Sequence, residues 1–126
     1  MEPPTILYCV NKNSSFHQVI QTGHPFCVNF LSADDTAIAR HFGATKGIDR
    51  FSRGEWSSRD AEVPWLRSAQ AAVFARITSV VDWNTHSIVC GRVLRAVTRA
   101  DAQPLLYTMG DFAFLEGRPI TSYQAF

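Results

Sequence analysis

The sequence predicts a mainly β domain, an antiparallel barrel with short helices at one end. Short apolar runs bounded by turn formers recur at residues 5–11, 25–31 and 103–109, each too short for an ordinary helix. Two longer runs, 71–81 and 86–97, are rich in β-branched and small apolar residues and flank Asp82-Trp83-Asn84-Thr85, where Asp and Asn favour turns. Helical spacing is confined to two brief stretches near residues 16–20 and 38–42. Some five or six strands joined by hairpins or short helices suggest an antiparallel sheet that curls on itself.

A chain of 126 residues is read as one domain over residues 1–126, large enough for one hydrophobic core and too small for two. Apolar residues at 46% and charged residues at 18% are an ordinary globular balance. No apolar run approaches the roughly 20 residues that cross a bilayer, so no membrane segment is expected. Met1-Glu2-Pro3-Pro4 lacks the basic-then-apolar order of a secretory signal, which makes the cytoplasm the expected location. A net charge of +1 gives no electrostatic case for nucleic acid. Cys9, Cys27 and Cys90 are odd in number, lie in apolar runs and form no Cys-x-x-Cys pair, so they read as buried free thiols. His17, His24, His41 and His86 lack the spacing of a zinc site, and no structural metal is expected.

In chain order, Thr5–Asn11 reads as the first strand. The polar residues from Asn11 to Ser15 then precede Phe16, Val19 and Ile20 at helical spacing, with Gly23 as a stop signal, which predicts a short amphipathic helix. Its first turn either caps the helix or holds an anion or sugar hydroxyl. Residues 25–31 form the next strand. Ser32 caps a second short helix while Asp35 reaches back, Ile38, Ala39 and Phe42 make its apolar face, and Gly43 ends it.

Residues 44–65 are polar, with Gly47, Gly54 and Pro64, isolated aromatics at Phe51, Trp56 and Trp65, and Arg50 among several arginines. Ordered connections of this length usually shape a binding site, so this one is a candidate wall or lid. Residues 68–98 form the long hairpin. Its first arm alternates, with Ala71, Val73, Ala75, Ile77 and Val81 on one face and Arg76, Thr78 and Asp82 on the other. Gly91 in the return arm marks a bulge, a tight bend, or the close approach of a flat ligand or another backbone. Residues 103–109 form a further strand, Gly110-Asp111 a turn, and 112–115 an apolar continuation; 116–126 gives no assignment.

Several of these segments together resemble one known family. They are Pro3-Pro4-Thr5-Ile6-Leu7-Tyr8-Cys9-Val10-Asn11, Phe26-Cys27-Val28-Asn29-Phe30-Leu31-Ser32, Ala39-Arg40-His41-Phe42, Asp49-Arg50-Phe51, Trp83-Asn84-Thr85-His86 and Gly91-Arg92-Val93. Their order and spacing resemble the flavin reductase-like split-barrel flavoproteins, the reductase partners of two-component flavin monooxygenases. The likeness runs from about Pro3 to Leu115.

The resemblance implies an antiparallel Greek-key split β-barrel with short helices, working as a homodimer with flavin near the dimer interface. It implies hydride transfer from NADH or NADPH to FMN or FAD, with reduced flavin passed to a partner monooxygenase. By position, Cys9, Val10, Asn11, Ser14 and Ser15 match the strand end and helix start on the ribityl and phosphate side of the flavin. Phe42, Arg50 and Phe51 match the segment that closes over it. Arg50 either pairs with a phosphate or is an ordinary loop arginine. His86 matches the histidine of the nicotinamide pocket, although the family's usual Gly-Asp-His is here Asn84-Thr85-His86.

Family members also carry residues ahead of the Pro-Pro motif, comprising a helix and the first two barrel strands. A barrel incomplete at its N-terminal side is therefore implied. Such a barrel exposes unpaired strand edges, so the chain alone is expected to bind flavin poorly. The alternative reading is a non-catalytic split-barrel module that binds flavin, another flat ligand, or only its own partner.

Overall fold

The computed structural model describes residues 2–59 and 61–115; the unassigned tail at 116–126 lies outside the described residues. The chain is mainly β, as the sequence predicts. Four strands, β1 (Thr5–Asn11), β2 (Pro25–Phe30), β5 (Ala71–Trp83) and β6 (His86–Thr98), form one curled antiparallel sheet in the order β1-β6-β5-β2. Two ribbons stand apart from it, β3 (Trp56–Ser57) with β4 (Trp65–Leu66), and β7 (Leu105–Thr108) with β8 (Asp111–Phe114). The main sheet is a half-barrel: β1 and β2 are its two edges and do not pair with each other.

The core fills the concave side of this half-barrel. Val10, Phe26, Ala75, Ile77 and Val89 are buried together, with Ile6, Tyr8, Ile20 and Val28 packed against them. Ala75 and Ile77 face this core as the alternation predicts. The opposite face is covered at one end too, since Ala72 and Phe74 are also buried and Phe74 meets Trp65 edge-on at 5.9 Å.

The alternation fails nearer the turn, for a local reason. Ile77 pairs with Gly91 and Ser79 with Cys90, leaving Thr78 as an extra residue on β5; Phe74 pairs with Arg95 and Ala75 with Val93, leaving Leu94 extra on β6. A bulge inverts the faces of everything beyond it. Val80 therefore sits opposite Val89 and Asp82 opposite Ser87 on the concave side, while Val81, expected inside, lies on the convex face and is exposed.

Gly91 lies beside the Thr78 bulge. A Cβ built there would stand 2.5 Å from Cζ of Phe26, so the close approach foreseen at this glycine is made by the chain's own aromatic ring. The hairpin turn is tighter than the sequence suggests: Trp83 already pairs with His86, and Asn84 alone takes a left-handed φ of 51°. Asn tolerates that conformation better than most residues.

The first predicted helix is instead a 3₁₀ turn at Ser15–Val19, capped by Ser14, whose Oγ accepts from His17 N. Five residues between a cap and an extended Ile20 are too few to nucleate an α-helix. The second is α1 (Thr36–Ala44), which continues through Gly43. Asp35 reaches back as expected, accepting from Ser32 N at 2.9 Å and Ser32 Oγ at 3.0 Å, and it also accepts from Ser68 Oγ at 2.6 Å. That buried carboxylate ties the start of α1 to the start of β5. The β7–β8 ribbon is moored through Leu105 N–H to Leu31 O and by Arg40, whose guanidinium lies 4.9 Å above the Phe112 ring. No helix among the described residues is long and apolar enough to cross a membrane.

Candidate functional site

A cavity of about 1170 Å³ lies between the concave face and the segment running from α1 to β4. Tyr8, Phe26 and Ile77 supply the concave sheet side, and Cys27, which alternates with Phe26 along β2, borders the cavity from the other face of that edge strand. Ile38 and Phe42 from α1 and Gly47, Arg50, Phe51 and Trp56 from the connection supply the opposite wall. Ser15 and Phe16 from the 3₁₀ turn border it as well. Pockets that enclose drug-sized ligands are typically about 300–1,000 Å³, so a nucleotide-sized molecule fits.

The long connection is a wall, as its length suggested, and aromatic packing fixes it. Phe42, Phe51 and Trp56 form a mutual cluster with ring centroids 4.9 to 5.6 Å apart. Trp56 Nε1–H donates to Arg53 O at 2.6 Å, so this tryptophan pins the loop. Arg50 donates from Nε to Thr45 O at 2.7 Å, and its guanidinium lies 5.2 Å from the centre of the Phe42 ring.

The cavity surface is mainly apolar. Burial holds the Cys27 thiol up at about 11, outweighing the nearby Arg95 and a backbone hydrogen bond, both of which favour the thiolate. Burial likewise raises the Tyr8 phenol, whose OH is buried without a hydrogen-bond partner among the described residues. Both groups therefore stay protonated at neutral pH.

A second cluster forms where β1 ends and β6 begins. Asn11 is the register partner of His86, and Lys12 N–H donates to Thr85 O at 2.9 Å. Asn11 O accepts from Ser14 N, which starts the capped turn. His17, at the end of that turn, lies 2.9 Å through Nε2 from Oγ of the buried Ser87. His86 itself is exposed, with Nδ1 2.9 Å from Thr85 Oγ1. Lys12 pairs with Asp82 across the same rim.

The residues singled out in the sequence thus fall into two groups. Ser15, Phe42, Arg50 and Phe51 border the cavity together. Asn11, Ser14 and His86 gather at the sheet rim, with Asn11 and His86 at strand positions that alternate with the core-facing Val10 and Ser87. Val10 is part of the core, and Cys9 is exposed on the convex side. The sequence reading did not assign Tyr8, Phe16 or Cys27 to the site. The strand alternation that puts Tyr8 in phase with Val10 was the available signal for the first.

A curled antiparallel half-barrel with an aromatic-walled cavity beside a helix and a long anchored connection defines the site. Residues 1–116 match the family model described as flavin reductase like domain, and the chain belongs to that family. It is 34% identical over 108 residues to the reductase component of FADH(2)-dependent resorcinol hydroxylase from Rhizobium sp. strain MTP-10005, a match covering 85% of this chain and 60% of the relative. It is 34% identical over 114 residues to the NADH:riboflavin 5'-phosphate oxidoreductase of Streptomyces pristinaespiralis, covering 89% and 64%. Among solved structures, the NADH:FAD oxidoreductase SgcE6 of Streptomyces globisporus C-1027 superposes with a TM-score of 0.84 at 27% identity, covering 91% of this chain and 70% of that one. SgcE6 has also been solved in complex with NAD and FAD fragments. The chain spans under two thirds of the length of these curated relatives, 60% and 64%.

Proposed function

We propose that this chain is the reductase domain of a two-component flavin system, transferring a hydride from NADH or NADPH to FMN or FAD and supplying reduced flavin to a partner monooxygenase in the cytoplasm. The observation that carries the reading is the large, mainly apolar cavity walled by Phe42, Phe51 and Arg50 in a chain of this family. Flat rings suit a wall of aromatic edges and faces, and a phosphate suits the arginine fork. The cavity, its apolar lining and the single arginine among the described residues that line it fit a flavin nucleotide.

The flavin and nicotinamide supply the redox chemistry when bound, so the chain needs no general base of its own. Phe42 and Phe51 hold a ring in place and exclude water. Arg50 takes a phosphate. Asn11, Ser14 and Ser15 hold the ribityl and phosphate side at the rim, and Cys9 and Val10, whose side chains face the convex side and the core, contribute only the β1 backbone that leads there. His86 donates a hydrogen bond that orients the nicotinamide carboxamide. Loss of that bond is worth about 1.4 kcal/mol, so His86→Ala raises the nicotinamide KM about tenfold and leaves the flavin KM alone.

The convex face supports the homodimer of this reading. Leu7, Val81 and Trp83 are exposed there, and Ile88 joins them through its pairing with Cys9 and Val81. Contiguous apolar patches of this kind mark interaction sites. Sedimentation of Trp83→Glu as a monomer beside a wild-type dimer is the expected result.

The decisive experiment mixes the purified chain with FMN and NADH and follows the loss of nicotinamide absorbance. Flavin-dependent turnover that falls in Arg50→Ala and His86→Ala supports the enzyme. A folded chain without turnover points instead to a non-catalytic binding module, for which the two open sheet edges are the favouring observation.

A further inference from the structure

We infer that His41 is a positioning residue that aims Arg50 at a phosphate of the bound nucleotide; this rests on the flavin reductase reading above. Arg50 is the one arginine or lysine among the described residues that line the cavity. Its loop is clamped from one point. His41 Nε2 lies 2.9 Å from Asp49 O and 3.2 Å from Ser52 Oγ, and its Nδ1 lies 3.3 Å from Thr45 Oγ1.

The partners fix the tautomer. A carbonyl oxygen only accepts, so Nε2 carries the proton and donates to Asp49 O, which leaves Nδ1 to accept from the Thr45 hydroxyl. Ser52 Oγ donates to the same Asp49 carbonyl at 2.7 Å. One imidazole on the last turn of α1 thus grips residue 45 before the arginine and residues 49 and 52 on either side of it.

The same clamp sets the arginine's direction. Thr45, held by its hydroxyl, presents its carbonyl to Arg50 Nε at 2.7 Å, while the Phe42 ring beside His41 supports the guanidinium plane. Among the described residues the two Nη groups take no protein hydrogen bond. A guanidinium with Nε occupied and both Nη groups free is set to receive an oxyanion from the cavity. Holding a long side chain in one rotamer before the ligand arrives lowers the ordering cost of binding.

Phosphate is carried by both FMN and the nicotinamide dinucleotide, and riboflavin separates them. Dissociation constants for FMN and riboflavin are read from flavin fluorescence without reductant; the KM for NADH is read with riboflavin as acceptor. His41→Ala and Arg50→Ala are each expected to weaken FMN about tenfold while riboflavin binding stays within twofold, and the double variant to be no worse than Arg50→Ala alone. His41→Gln, whose amide still donates to Asp49 O, restores most of the affinity. A rise confined to the NADH KM also supports the positioning role and assigns the phosphate to the dinucleotide. Equal weakening of FMN and riboflavin, or no change in either constant while Arg50→Ala does discriminate, overturns the inference. A wild-type chain that binds neither flavin overturns the functional reading instead.

Discussion

The β5–β6 hairpin and the connection from Thr45 to Pro64 are both long, yet they are held by different means. The hairpin is fixed by its backbone: every residue from Ala71 to Trp83 except Thr78 has a register partner on β6, and β1 and β2 flank the pair. The connection has only a 3₁₀ turn and part of a two-residue ribbon, and side chains hold it: the Phe42–Phe51–Trp56 cluster, His41 and the Arg50–Thr45 bond. The first is a frame whose mutations should cost stability. The second is a wall whose mutations should cost affinity.

Phe26→Ala tests the frame hardest. Removing this core ring is expected to cost about 3–5 kcal/mol in chemical denaturation. Gly91→Ala alone should cost about 1–3 kcal/mol, because its Cβ meets the same ring, and should cost much less in the Phe26→Ala background. Strictly additive losses would show that ring and glycine do not oppose each other.

Phe51→Ala is the converse test on the wall. Phe51 makes two ring contacts, each worth about 0.5–1.5 kcal/mol of stability, whereas the flavin dissociation constant should rise at least tenfold on the proposed reading. A large fall in Tm with unchanged flavin binding would erase the distinction between the two regions.

A smaller effect comes from Cys27 on β2. Its ordinary value of 9.0 is raised to about 11 in the folded state, so the folded thiol keeps its proton where the unfolded one has lost it. Above pH 9 the unfolded state binds fewer protons, and stability should decline from there to about pH 11 and then level off. Cys27→Ser should flatten that decline in a series of Tm measurements. Smallest of all is Asp82→Asn, which removes the exposed partner of Lys12 and should change stability by about 0.5 kcal/mol or less.

Much of the frame was legible because strand signals are local. The strand at residues 5–11, the strand read at 103–109 and found at 105–108, the return arm beginning at His86 and the Asp35 contact to Ser32 all follow from short apolar runs between turn formers and from capping chemistry. Gly91 pointed to a bulge near the Thr78 shift, but neither extra residue, Thr78 nor Leu94, was legible, since an extra residue is defined only by the partner strand it fails to match. That is why Val81 was expected inside and Val80 was not. For the site, the wall residues Phe42, Arg50 and Phe51 were found through a family resemblance. Alternation in phase with Val10 already turns Tyr8 inward, whereas Cys27 joins the cavity only through the curl of the sheet at β2, which no single segment encodes.

The paired bulges have one more consequence. Register at the turn, where Trp83 meets His86, is the same as at the far end, where Ala71 meets Thr98; only the stretch between Thr78 and Leu94 is offset. Thr78 and Leu94 therefore relate to each other as an insertion and its suppressor. Deleting either alone would throw half the ribbon out of step, whereas deleting both would restore every rung of the ladder.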